Sequence, residues 1–486
     1  MDARLSATLL LTLSVFFLQF WGLGDPLNAA KRELFDQLVR TRQNTTGGVA
    51  PPVVELTFDR DSRAEYWTRL MPGKSFAEWP AITPLAVVEG VMDAVKAGCA
   101  KAVAERGCPR LVVVDIDIWP VGTKRSDDEI GAFSKSLMAW SSDTHLPLIA
   151  FVRAPEWRNY RDERGQEQVG FELATAPPWD GLVRQAPNLT WAAGEALADN
   201  DGVARRFAYF TCVHSLKAKR IIPLPHAALF ALAVWKNGTA TTKKSVAGAL
   251  AQECAGAAGN TTVPFELSGP NADTSSFKDR IGLIGYHLND PEKAGASPTL
   301  LTKSGMPGAP AIQVVPARLL FETGAKLNFA DGSILVLSSF QPSFEDVHWS
   351  PYGPMPGGLV LANSTRGLIL DGPMQPLRTG TEFLILLFTG LAMHGYTFLM
   401  NRWHVRLLLR PGQAGNWKGG FLRVITSCEG AKYFAFVAVF VIGRFTGLWL
   451  APYAMWVGIA IMGFVVVIYS VFNELNEAWS ARNDSV

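Results

Sequence analysis

The chain has 486 residues, 48% of them apolar and 18% charged, with a net charge of +2. So weak a basic balance gives no electrostatic drive toward nucleic acid, and so apolar a composition excludes a disordered chain. The length leaves room for a large folded domain beside membrane segments, a mixture that the slightly positive mean hydropathy favours.

Leu5–Leu23 is the first apolar segment. Asn28-Ala29-Ala30 after it resembles a signal cleavage site, but the apolar stretch is longer than a signal core, so it reads as a retained anchor. Pro51-Pro52 then opens an extended stretch, Val53–Asp59, that reads as a strand. Leu85, Val88, Met92, Val95, Cys99 and Val103 recur at helical spacing, with a stop at Arg106-Gly107. Leu111–Ile118 is a second strand, and its run Val112-Val113-Val114 suits a strand buried on both faces. Asp127–Trp140 is a helix opened by acids, and Leu148–Val152 a strand. Further on come a strand around Phe207–Val213, a helix from Leu224 to Trp235, and short strands at Ile281–Ile284 and Ile334–Leu337. Asn237–Asn271 and Asn289–Gly308, rich in small and turn-forming residues, read as loops. The alternation of strand and helix predicts an α/β domain with partly parallel pairing.

Thr381–Met400, Tyr433–Leu450 and Pro452–Phe472, with Leu5–Leu23, each approach the roughly 20 residues that cross a bilayer core as a helix. The loop 401–432 carries Arg402, Arg406, Arg410, Lys418, Arg423 and Lys432 against Glu429, so it is expected on the cytoplasmic side. That orientation puts both termini inside. It gives an anchor over 1–24, an outside α/β domain over 25–377, a three-helix membrane region over 378–472 and a cytoplasmic tail over 473–486. The short tail leaves no space for a folded output domain, so a signal is expected to leave through the membrane helices to another protein.

Cys99, Cys108, Cys212 and Cys254 fall in the outside segment, and Cys428 in the cytoplasmic loop. The four permit two disulfides in any of three connectivities, or buried free thiols. Cys99 on a helix and Cys108 past its end are expected to lie too far apart to bridge each other.

Candidate chemistry is sparse. Asp115 and Asp117 alternate along the second strand and are expected on one face, where carboxylates hold a metal, assist hydrolysis or cap loop backbone. Asp346 and His348 repeat that spacing in a loop, as a pH-sensitive pair or as a brace for the following Met-Pro-Gly turn. Arg444 within the third span is expected either to pair with Glu382 at the start of the second or to snorkel to the headgroups. No nucleophile elbow, zinc-protease helix or phosphate-binding loop occurs, so no catalytic residue, metal or cofactor is assigned and the chain reads as a non-enzyme.

The ordered landmarks resemble the second type of CHASE domain, an extracytoplasmic sensory module of bacterial cyclases, histidine kinases and Ser/Thr kinases. Glu33-Leu34-Phe35-Asp36 with Arg40 is similar to that family's membrane-proximal segment. Val53–Asp59 with Ser62 is similar to its first strand and acidic turn, and Trp79-Pro80 to its Trp-Pro element. Val112–Asp115 resembles its buried strand, Asp127-Asp128 its acidic helix start, and Asp199 to Arg206 its DxDGVxRR turn. Pro223–Ala233 resembles its Pro-led helix, and Phe344–Gly357, with Ala362-Asn363 beyond, its most specific stretch. The chain departs from the family pattern at Gly285, Ser338-Ser339 and Leu361. The resemblance implies ligand contacts at Asp59, Trp79, Asp115, Asp117, Asp346 and His348, and a receptor in a bacterial inner membrane. Its ligand would be a small molecule or a periplasmic protein, its output a separate cytoplasmic or membrane effector, and a homodimer its expected self-association. An assembly subunit that binds a periplasmic protein, and a membrane-anchored phosphoester hydrolase using Asp115, Asp117 and His348, are the competing readings.

Overall fold

The computed structural model describes residue 36 and most of 51–373, the longest breaks being 74–82, 101–107, 256–264, 287–311, 321–331 and 340–346. The chain divides into two compact units, Met1–Leu38 with Pro376–Val486, and Val39–Gln375. All elements below belong to the second. The four apolar segments, together with Trp79, Asp346, Glu382 and Arg444, lie outside the described residues, as does the expected loop at Asn289–Gly308. Among the described residues no helix is long and apolar enough to cross a membrane.

The elements run in this order: β1 (Val53–Thr57), α1 (Arg60–Leu70), α2 (Leu85–Ala100), β2 (Leu111–Asp115), α3 (Asp127–Ser141), β3 (Leu148–Val152), β4 (Glu156–Arg161), β5 (Glu167–Leu173), α4 (Asp180–Gln185) and β6 (Leu189–Ala192). Next come β7 (Ala196–Ala198), β8 (Ala204–Ala208), β9 (Phe210–Ser215), β10 (Arg220–Pro225), α5 (Ala227–Asn237), α6 (Thr239–Ala255), β11 (Phe265–Ser268), β12 (Thr274–Phe277) and β13 (Ile281–Leu283). The last are β14 (Ile312–Pro316) with a 3-10 turn at Ala317–Leu320, β15 (Ile334–Ser338), β16 (Val347–Ser350), β17 (Gly353–Pro356) and α7 (Gly357–Asp371).

The organising feature is a six-stranded sheet in the order β14-β1-β15-β2-β3-β6. Every pairing in it is parallel, beyond the partly parallel arrangement that the sequence predicts. A parallel sheet needs cover on both faces, which is why β1, β2, β3 and β15 are almost continuous runs of buried Val, Ile and Leu. On one face Val54, Leu56, Val112, Val114, Leu335 and Leu337 join a core with Val88 and Val91 of α2 and Phe133 and Leu137 of α3. Helices α5 and α7 pack together over the other face, α7 against β1 and β15 and α5 against β2 and β3.

Local chemistry fixes the helix starts. Ser126 Oγ accepts from the Glu129 N–H at 3.2 Å, and Asp127, Asp128 and Glu129 face the positive end of α3. His226 caps α5, its Nδ1 accepting from the Ala228 N–H at 3.2 Å. That cap starts α5 at Ala227 rather than Leu224. Pro223 and Pro225 belong to β10 instead, an edge strand where a missing N–H is tolerated.

Three further expectations are corrected. Cys99 and Cys108 form a disulfide with Cα atoms 4.6 Å apart, because the last turn of α2 meets the lead-in to β2; Cys212 and Cys254 form a second. The stretch read as a loop from Asn237 holds α6, whose Ala, Lys, Leu and Gln are strong helix formers and whose Cys254 is pinned to β9. The single strand expected around Phe207–Val213 is two, β8 and β9, in different sheets.

The disulfides predict a labelling pattern. Alkylation of the unreduced chain should modify Cys428 alone, and all five cysteines only after reduction, as read by intact mass. Modification of Cys99 or Cys254 without reductant would contradict the pairing.

Lys243 of α6 donates from Nζ to the carbonyls of Val183, Arg184 and Ala186 at 2.7, 2.8 and 2.7 Å, closing the C-terminal end of α4. Burial, then Arg184, push its ammonium down to about 8, while the three carbonyls and the helix dipole favour the charge. Lys243→Met should therefore destabilise the domain by about 1–2 kcal/mol, measured by denaturant midpoint.

Candidate ligand site at the carboxyl edge of the sheet

Helices α2 and α3 follow β1 and β2 on one face, whereas β15, inserted between those strands, leads to α7 on the other. Successive connections therefore leave in opposite directions on either side of β15, and beyond the carboxyl ends of the strands at such a divergence is where open α/β sheets tend to bind ligands. Register places Thr57 beside Ser338 and Ser338 beside Asp115, so these three form one row across β1, β15 and β2. Laterally paired residues of a parallel sheet share a face, and this row shares the face covered by α7.

One pleat back from Thr57 is Glu55, 1% exposed in a strand otherwise made of Val, Leu and Thr. The Ser338 hydroxyl donates to Glu55 Oε1 at 2.7 Å. Gly358, in the first turn of α7, lies directly on the pair. A Cβ there would stand 2.2 Å from Ser338 Cβ, 2.5 Å from Ser338 Oγ and 2.6 Å from Glu55 Oε1. Pro356 at the N-cap gives α7 no side-chain cap, so the Glu55 carboxyl lies at the positive end of the helix. At its other end Arg366 Nη1 donates to the Pro51 carbonyl at 3.4 Å, so α7 runs antiparallel to β1 along its length. Thr57, 7% exposed, finds no hydrogen-bond partner for Oγ1 among the described residues.

Asp115 ends β2 half-buried against Gly194, where an added Cβ would meet Val152 Cγ1 at 2.8 Å and Asp115 Oδ1 at 3.1 Å. Burial alone pushes the neighbouring Glu195 carboxyl above its ordinary range. Asp117 is not on the strand with Asp115: β2 ends first, and Asp117 Oδ1 instead accepts from the Trp119 N–H at 2.9 Å. Its carboxylate is 3.9 Å from the buried Arg153 guanidinium, which lies over the Trp191 ring at 5.3 Å.

The remaining sequence candidates have structural partners. Asp59 Oδ1 accepts from the Ser62 N–H at 2.8 Å, and Ser62 Oγ from the Arg318 N–H at 3.0 Å, which fixes the start of α1. His348 lies in β16 opposite Met355, a hairpin strand rather than a loop. In the DxDGVxRR turn, buried Arg205 meets both Asp201 oxygens at 2.9 Å and Asp199 at 3.2 Å, and Arg206 meets Asp199 at 2.7 Å. Among the described residues no three His, Cys, Asp or Glu side chains gather as a metal site. Asp115 thus ends β2 while Asp117 lies beyond the strand on the Trp119 N–H, and His348 lies in a separate element. Sequence reasoning missed Glu55 and Thr57, and marked Ser338 only as a departure from the family pattern. The one available signal was a lone acid inside the apolar run Val53–Thr57.

A family model described as "CHASE2 domain" matches residues 7–395. No curated protein and no solved structure matches the chain.

Proposed function

The chain belongs to the CHASE2 domain family, and from that premise we propose a membrane receptor whose outside domain senses a ligand and relays its binding through the membrane helices to a separate cytoplasmic partner. CHASE2 domains are extracellular sensory modules. Two disulfides within the domain support an oxidising compartment for it.

The observation that carries the relay is the Glu55–Ser338–Gly358 contact. β1 is the first core strand after the amino-terminal segment, and α7 the last described helix before residue 376. The elements next to the two chain ends of the domain therefore meet at this buried carboxyl and glycine contact, as well as at the Arg366–Pro51 hydrogen bond. A ligand that favours one packing of this joint over the other moves the two ends relative to each other. Switching the joint from mostly off to mostly on needs a preference of roughly 5.5 kcal/mol between the states.

A photo-crosslinker at Arg406, in the basic loop, tests the relay in native membranes. The expected result is capture of a cytoplasmic protein whose yield changes severalfold in Glu55→Gln. Equal yields in both chains would overturn the relay. The competing assembly-subunit reading draws on Val347 and Trp349, which are 37% and 59% exposed at alternate positions of β16. Loss of a periplasmic crosslinked partner on Trp349→Ala, with the cytoplasmic yield unchanged, would favour it.

A further inference from the structure

Resting on that sensory reading, we propose that the Cys99–Cys108 disulfide is a redox clasp that opens to a dithiol reductant and frees the end of α2, while Cys212–Cys254 stays closed as a structural bond. The two bonds differ in what surrounds them. Cys99 and Cys108 are both half-buried, so both residues of that bond meet solvent. In the second bond only Cys212 is half-buried, and Cys254 is 2% exposed. A reductant thiolate attacks one sulfur and expels the other as a thiolate, and a thiolate forced into an apolar interior leaves slowly. Cys254 also lies in the last turn of α6, where the negative end of the helix opposes a thiolate further. Attack on Cys212 therefore has a poor leaving group. Attack on Cys99 expels Cys108, which lies outside any helix and keeps its contact with solvent.

The step is a two-electron exchange. One thiolate of the dithiol bonds to Cys99 Sγ as the Sγ–Sγ bond breaks, and Cys108 leaves with the electron pair and takes up a proton. The second thiol of the reductant then loses its proton and displaces Cys99, which is protonated in turn, and the reductant closes its own disulfide. What the bond holds is local. The last turn of α2 offers no basic side chain to its free carbonyls, so Cys99 is its covalent hold. Cys108 is fixed independently of the bond. Its carbonyl accepts from the Gly332 N–H at 3.0 Å, and the Arg110 N–H donates to the Ser333 carbonyl at 2.8 Å, which ties this lead-in to the turn before β15. Earlier in α2, Val88, Val91 and Val95 are buried in the core. Opening the clasp therefore frays the last turn away from an anchored lead-in while the body of α2 stays packed. β15 runs from that same turn to Ser338, which places the clasp at the opposite end of a strand that the relay uses.

Timed reduction of the full chain in detergent by dithiothreitol, with Cys428 alkylated beforehand, tests this. Thiols trapped with iodoacetamide and mapped by peptide mass should show Cys99 and Cys108 appearing together, at least about tenfold faster than Cys212 and Cys254. Hydrogen exchange in the chain with only that bond opened should accelerate at Val95–Ala100 and stay unchanged in β2 and β3. Equal rates for the two bonds, faster opening of Cys212–Cys254, or unchanged exchange at Val95–Ala100 would each overturn the clasp. Acceleration through β2 and β3 would overturn it too, by showing that the bond holds the whole domain. In native membranes the same dose of dithiothreitol should change the Arg406 crosslinking yield of the wild type and not that of Cys99→Ser/Cys108→Ser. No change in the wild type, or an equal change in both, would overturn the link to the relay. The Glu55→Gln comparison uses no reductant, so it reports on the relay itself whichever way the order of reduction falls.

Discussion

Gly358→Ala should release the first turn of α7 from the sheet and destabilise the domain by about 3 kcal/mol or more, at the upper end of overpacking effects. The added methyl has no room. It would lie 2.2 Å from Ser338 Cβ and 2.6 Å from Glu55 Oε1, far inside contact distance. Ser338 is 1% exposed in the middle of a parallel sheet, so its Cβ moves only if β15 moves. The cheaper response is for α7 to lift, which also takes the positive helix end away from the Glu55 carboxyl. Hydrogen exchange should therefore accelerate at Leu359–Asn363 and remain unchanged at β2 and β3. Ser338→Gly combined with Gly358→Ala should recover part of the loss, since it removes the atom nearest the clash. A Gly358→Ala protein with wild-type exchange in α7 would show that the joint is looser than its distances imply.

That joint also marks where the sequence stops being readable. The run Val112-Val113-Val114 announces a strand buried on both faces because branched residues at consecutive positions suit no amphipathic element, and the structure places it at the centre of the sheet. The register that brings Glu55 to Ser338 spans 283 residues and depends on β15 inserting between β1 and β2. No local pattern encodes an insertion of that kind. Strands β6 and β14, both part of the main sheet, escaped notice because Leu189–Ala192 is short and Ile312–Pro316 mixes Gln and Pro into its apolar run. Helix α6 escaped because its small residues resemble a loop by composition although their helix propensity is high. The disulfide between Cys99 and Cys108 was misjudged because sequence spacing says nothing about how a helix end returns to the next strand.

Acidification should loosen α5 through His226, the second large effect. The imidazole is fully buried against Phe207, its Nδ1 occupied by the Ala228 N–H, and burial lowers its pKa from 6.5 to about 3 despite partial compensation by the backbone at Gly194 and Glu195. The folded state thus favours the neutral ring, and the unfolded chain takes up the proton first. The resulting stability is fully present above pH 6.5, falls by about 1.4 kcal/mol per pH unit below it, and levels off near pH 3 after a loss of about 5 kcal/mol. Exchange of the α5 amides Leu229–Val234 between pH 7 and pH 4, corrected for intrinsic rates, should show that slope. His226→Asn keeps a competent N-cap and removes the titration, so its slope over the same window should be shallower by about 1.4 kcal/mol per unit. Equal slopes would mean that another group governs the acid response. The position of His226 gives the effect a functional side. Ala193 accepts from the Ala227 N–H at 2.8 Å and donates to the Pro225 carbonyl at 2.7 Å, so the start of α5 is tied to the segment that carries Gly194 against Asp115. Protonating His226 would therefore also loosen the Gly194 segment where it packs on Val152 and Asp115.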